Sequence, residues 1–306
     1  MKVFGLISLL CRAQRPAACA LAMMAWSALA QAPAQTDYSK VNIETVKLAP
    51  NFYVLNGSGG AIGVLAGPDG VLMVDSQFAP LTEKIVAAVK QVSNTPIKFL
   101  INTHVHPDHT GGNENLGKMG VTIFAREELR NRLAHPATGA GAPAAALPVI
   151  TYSSPLTFHM DGEDVQAIPI PKAHTDGDTL VFFPNANVIM IGDYFRSLGY
   201  PNIDRANGGS LNGMLAGIDA AIKLCNATTK VVPGHGEITD RNGLAAHREM
   251  IIAIRDKIAP MVSQGKTLEE VSASKPTAAF DAKVPGGATT IDRFVGQVYA
   301  ELKAAK

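Results

Sequence analysis

Apolar residues recur along this chain in short runs set off by turn-forming residues, a pattern of buried strands with helices between them. Phe52-Tyr53-Val54-Leu55, Ala61-Ile62-Gly63-Val64-Leu65 and Val71-Leu72-Met73-Val74 are separated by Gly57-Ser58-Gly59-Gly60 and Gly67-Pro68-Asp69-Gly70. Those separators are turn chemistry, so residues 41–74 predict three or four strands. A helix follows over 80–92, then a buried strand at Ile97–Ile101. Residues 113–119 read as a short helix, 121–125 as a strand and 126–134 as an amphipathic helix. The stretch 135–148 is rich in Ala, Gly and Pro without periodicity, and reads as a loop of the kind that covers a substrate. Strands return at 156–159, 164–170, Thr179–Phe183 and 188–191, followed by a helix at 210–225 and a strand at Lys230–Val232. A long amphipathic helix spans 242–263, and 268–271 and 291–302 are helix-like. The strand-rich block thus occurs twice, over about 41–134 and 156–247. That predicts two similar halves packed sheet to sheet with helices outside.

The polar residues that interrupt this pattern are concentrated in one place. The strand Ile97–Ile101 runs into Thr103-His104-Val105-His106-Pro107-Asp108-His109-Thr110-Gly111-Gly112. Three imidazoles and a carboxylate within six residues, straight after a buried strand, suit zinc and other borderline divalent ions. A solvated polar loop is the bland alternative, and the His-x-His-x-Asp-His spacing argues against it. His174, Asp193 and His235 each close a later apolar run. Singly they read as a turn His, a capping Asp and a core imidazole; together they bring three more ligand types to strand ends. Gly192, Gly234 and Gly236 beside them permit close backbone approach. Asp75, ending the run 71–74, either caps the helix at 80–92 or accepts a hydrogen bond from a ligand imidazole. His135, His159 and His247 lack the strand-end context and read as surface or loop residues.

The first thirty residues change the chemical setting. Lys2, Arg12 and Arg15 precede a short apolar stretch at 17–26, and Ala28-Leu29-Ala30 offers a small-x-small cleavage site before Gln31. Residues 1–30 read as a signal peptide and 31–306 as one domain, exported to a bacterial periplasm or secreted. The leader takes three of the 27 basic residues and none of the 26 acidic ones, leaving a slightly acidic chain. That balance argues against a nucleic-acid partner. An apolar fraction of 47% supports a sizeable core, yet no later run is long enough for stable membrane insertion. Cys11 and Cys19 leave with the leader, so Cys225 has no partner for an intramolecular disulfide and reads as a small core residue.

The His-x-His-x-Asp-His loop, the later His, the Gly-Asp and the Gly-His-Gly together resemble the metallo-β-lactamase superfamily. The likeness is strongest to its secreted bacterial hydrolases. It rests on Gly59-Gly60-Ala61-Ile62-Gly63-Val64, residues 102–113 and Ala173-His174-Thr175-Asp176-Gly177-Asp178. The resemblance implies an α/β fold, a four-layer αββα sandwich, with two Zn2+ per chain at one edge; Fe or Mn are other options. It assigns His104, His106 and His174 to one ion, Asp108, His109 and His235 to the other, and Asp193 to the bridge. It further implies a metal-bridging hydroxide attacking a small cyclic amide or ester (a β-lactam or lactone), with Asp108 orienting the hydroxide or moving a proton. Subclass B1 β-lactamases carry Cys at the Asp193 position, and in subclass B3 that position is not a ligand. The ligand set here is that of the glyoxalase II and lactonase branches. Thioester hydrolysis of glyoxalase II type and iron-dependent redox chemistry are therefore the alternatives. Arg196 either binds a substrate carboxylate or pairs at the surface. Tyr194 either donates to a developing oxyanion or packs. The 197–210 loop is expected to line the substrate pocket.

Overall fold

A computed structural model describes residues 36–305; the signal peptide expected at 1–30 lies outside them. Residues Asp37–Lys306 form one compact unit. In its first half, β1 (Glu44–Ala49), β2 (Phe52–Asn56), β3 (Ile62–Gly67) and β4 (Gly70–Val74) precede helix α1 (Thr82–Val92) and strand β5 (Ile97–Ile101). The short helices α2 (Pro107–Thr110) and α3 (Asn113–Lys118), strand β6 (Thr122–Arg126), helix α4 (Glu127–Ala134) and strand β7 (Ile150–Tyr152) complete it. The second half has β8 (Leu156–Met160), β9 (Glu163–Pro169), β10 (Thr179–Phe183), β11 (Val188–Met190), α5 (Leu211–Leu224) and β12 (Lys230–Val232). Helices α6 (Arg241–Ser263), α7 (Leu268–Ala273) and α8 (Ile291–Ala304) follow.

Each half builds its own sheet. Strands β1 to β7 lie in chain order in one, and the other runs β12-β11-β10-β9-β8. The tight β3–β4 hairpin turns at Gly70, whose φ of 126° suits glycine. Alternation along the strands sorts side chains into layers. Val54, Leu72, Val74 and Ile101 meet Val165, Val181, Phe183 and Met190 of the other sheet in one core. Their neighbours Leu55, Val71, Met73 and Leu100 face outward onto Ile85 and Val89 of α1. Leu180, Ile189, Ile191 and Val231 likewise cover Met214, Ile218, Ile251, Ile254 and Phe294 of the helices. Each fully buried aliphatic side chain in these layers contributes about 1.5–3 kcal/mol. The result is the expected αββα sandwich. No helix among the described residues is long and apolar enough to cross a membrane.

What positions the site is a shared feature of the two sheets. Each contains a parallel pair, with Val74 of β4 opposite Ile101 of β5, and Met190 of β11 opposite Val232 of β12. Parallel pairing brings two carboxyl-terminal strand ends together, and ligands gather outside such ends. Asp75, His104, Asp193 and His235 follow these four ends within three residues. Thr179 N donates to Thr103 O at 2.8 Å, joining the second sheet to the His104 loop.

Candidate metal centre

Among the described residues, three overlapping groups of ligand atoms come within 4.8 Å of one another: His104/His106/His174, His104/His109/Asp193 and Asp108/His109/His235. All seven residues singled out by spacing and strand-end position therefore converge. Asp193 joins the two sets. Its Oδ1 lies 3.2 Å from His109 Nε2 and 3.4 Å from His235 Nε2, while Oδ2 lies 3.9 Å from His174 Nε2.

Hydrogen bonds fix which nitrogen each imidazole presents. Thr103 Oγ1 donates to Asp75 Oδ2 at 2.6 Å, so its oxygen accepts from His104 Nδ1 at 3.1 Å. That leaves His104 Nε2 buried without a partner. His174 Nδ1 donates to Asn202 O at 2.6 Å, and His106 Nε2 to Asp204 Oδ2 at 2.7 Å. The free nitrogens, His174 Nε2 and His106 Nδ1, are 2.9 Å apart. His109 Nδ1 donates to Asp75 Oδ2 at 2.7 Å, turning Nε2 inward. A buried, partnerless imidazole nitrogen facing others is costly unless a cation fills the space between them. This donor set fits divalent metal.

Charge divides the two sets. Burial holds His104 well below its ordinary pKa and His174 at about 4, so both are neutral, the form that ligates metal. Burial also opposes charge on His109, but Asp75 and Asp193 overcome it and hold that imidazole well above its usual value. His235 is raised against burial by Asp108 and Asp193. Asp193, despite burial, is held well below the carboxylate range by His109 and His235. Asp108, which burial would raise, is held low by His235 at 3.1 Å.

The loop backbone is braced from below. Asn102 and Asn113 exchange side-chain hydrogen bonds of 3.1 and 2.8 Å, and Ser76 Oγ donates to Asn113 Oδ1 at 2.9 Å. Close approach elsewhere demands glycine: a Cβ on Gly234 would strike Asp193 Oδ1, and one on Gly60 would strike the His109 ring. The turn carrying His174 is pinned by Asp178, which accepts from Thr175 N at 2.9 Å and Thr175 Oγ1 at 2.7 Å, although burial raises its carboxyl to about 7. Arg132 of α4 grips Asp176 in the same turn with two hydrogen bonds of 2.6 Å.

Asp75 does not cap a helix. It lies at φ 65°, and α1 starts seven residues later behind Leu81 with no side-chain cap. Instead it binds Thr103 N at 2.7 Å, Thr103 Oγ1 and His109. Arg196 Nη1 is 3.6 Å from Asp193 Oδ2, inside the site rather than paired at the surface. Tyr194 is 1% exposed within the core facing the α5 helix, so its surroundings fit packing and not donation to an oxyanion. The expectation for His247 needs correction: it is half-buried on α6 with Nε2 buried, because its helical face packs inward against Phe195. His135 and His159 are exposed, although His159 lies on β8 rather than in a loop. Within the 135–148 stretch, His135, Pro136, Ala137, Thr138, Ala140 and Ala142 border a groove of about 400 Å³ beside His106. The 197–210 loop does more than line a pocket, since it supplies Asn202 and Asp204 to two imidazoles. Sequence reasoning missed both; Asp204 is 98 residues from His106, and no local pattern links them.

The sequence model of the Metallo-beta-lactamase superfamily matches residues 55–235. The chain belongs to that superfamily. It is accordingly a metal-dependent hydrolase, and the matched span takes in all seven candidate ligands. The superfamily chain is 26% identical to a metallo-beta-lactamase type 2 of Bacillus cereus, over 60% of its own length and 69% of the relative's. It is 22% identical to a linear primary-alkylsulfatase of a Pseudomonas strain, over 68% of its length and 48% of that enzyme. Among solved structures, a stereoselective inverting sec-alkylsulfatase from Pseudomonas matches with a TM-score of 0.64 at 18% identity, covering 86% of this chain and 50% of that one.

Proposed function

We propose that this hydrolase carries two zinc ions and opens a small cyclic amide or ester of the β-lactam or lactone type. The observation behind this reading is Asp193, one carboxylate facing an all-imidazole set with one oxygen and a mixed set with the other. Two divalent ions held by these residues would supply a nucleophilic water at neutral pH and Lewis acidity toward a carbonyl. Asp108, with a quarter of its side chain exposed beside His235, would orient the attacking water and carry its proton to the leaving group. Arg196 offers a planar pair of donors for a substrate carboxylate next to the reacting centre.

A sulfate ester is the second reading. Arg293 of α8 is held low by burial and by the charge of Arg196, which puts a second guanidinium near the first. Two such groups suit the singly charged sulfate ester and the doubly charged sulfate it releases, and the alkylsulfatase likeness supports it. Elemental analysis of the purified enzyme, followed by a panel of nitrocefin, acyl-homoserine lactone, thioester, alkyl sulfate and phosphodiester, separates the readings. Zinc with lactam or lactone turnover is expected. Bound iron with no hydrolysis of any panel member contradicts it, and fastest turnover of the thioester moves the reading to glyoxalase II. The same reading puts the enzyme in the periplasm or outside the cell, on the strength of the leader pattern at 1–30. Mass spectrometry of the exported protein is expected to find Gln31 as its first residue.

A further inference from the structure

Beside the metal centre, and lined by none of its seven candidate ligands, lies a cavity of about 360 Å³. Its size is that of a site for a small organic molecule. The walls are the segment after Asp193, one face of α6 and the chain around Lys283. Phe195, Met250, Phe280 and Val284 make it mainly apolar, and no carboxylate lines it. Besides the hydroxyls of Ser197 and Thr239, its polar side chains are basic. Lys283 is exposed at the rim with no ion-pair partner among the described residues. Arg196 lines it with Nε buried and unpartnered, and His247 lines it with Nε2 in the same condition. Unpartnered buried donors are uncommon in folded proteins and call for a partner.

We infer that this cavity is a second binding site, for a small carboxylate with an apolar body such as an arylacetate. The apolar walls take the body, while Lys283 and His247 supply the donors that an acid group requires. Arg196 is common to both sites, because its Nη1 reaches Asp193 while the residue also lines the cavity. The inference does not depend on which bond the centre cleaves. A neutral ligand of the same shape would leave the cationic rim without a counter-charge and bind worse.

The test uses the purified, metal-loaded enzyme. Calorimetric titration with phenylacetate is expected to show saturable binding, with benzyl alcohol at least tenfold weaker. Lys283→Ala, an exposed change that spares the core, is expected to weaken phenylacetate at least tenfold, and so is His247→Leu. Crystals soaked in 4-bromophenylacetate should place the bromine between Phe195 and Met250. Bromine found only at the metal centre would overturn the inference, as would phenylacetate affinity unchanged by Lys283→Ala.

Discussion

The two halves of the candidate centre are built to different standards. In the His104/His106/His174 set every imidazole has its outer nitrogen engaged, by Thr103, Asp204 and Asn202 respectively. In the Asp108/His109/His235 set only His109 is braced from behind, by Asp75. Asp108 and His235 are 26% and 17% exposed and contact each other. The first set is preorganised and its buried imidazoles are neutral; the second is wetter, and neighbouring carboxylates raise the proton affinity of its imidazoles. Outer hydrogen bonds orient ligands and raise affinity, so the first set should fill first and hold its ion more tightly. The exposed pair is the side on which a substrate and a mobile proton can be accommodated.

Asp75 touches both halves, directly at His109 and through Thr103 at His104. Asp75→Ala is therefore expected to have the largest effect, weakening both steps of a zinc titration by about 10- to 100-fold each. Asp204→Asn is expected to weaken only the tighter step, by about tenfold. Equal loss at both steps in that variant would break the comparison.

Acid should separate the halves. Metal binds only unprotonated imidazole, and His109 and His235 keep their protons to higher pH than His104 and His174. As pH falls from about 8 to 6, the weaker zinc step should therefore decline more steeply than the tighter one. Parallel pH slopes would contradict this division. The smallest effect lies outside the centre. Burial holds His247 near 4, below its unfolded value of about 6.5. Its contribution to stability is full above about pH 6.5 and is lost as pH falls toward 4. Urea unfolding of His247→Leu should lack about 1–2 kcal/mol of the wild-type decline between pH 7 and 5.

Most of this centre was legible because its information is local. Ligands one to three residues past strongly apolar strands are visible as interruptions of a hydrophobic pattern, as at His104, Asp193 and His235. The strands themselves were visible for the same reason, with Ile97–Ile101 and Thr179–Phe183 found at their read boundaries. The edge strand β1 has no fully buried residue, and of the three residues in β7 only Tyr152 is buried, so neither stands out as an apolar run. Asp204 and Asn202 act across a fold-dependent distance, and nothing in a loop sequence marks such partners. His247 was misread because one imidazole within an amphipathic helix does not disclose which face it occupies.

The central claim is that Asp193 is shared by the two sets. Zinc content of the purified wild type and of Asp193→Ala, read alongside hydrolysis of the best panel substrate, tests it most directly. The account predicts about two zinc ions per wild-type chain and about one in the variant. It also predicts a rate loss exceeding the roughly 100-fold that follows removal of an outer partner. Equal zinc content with an unchanged rate would contradict it.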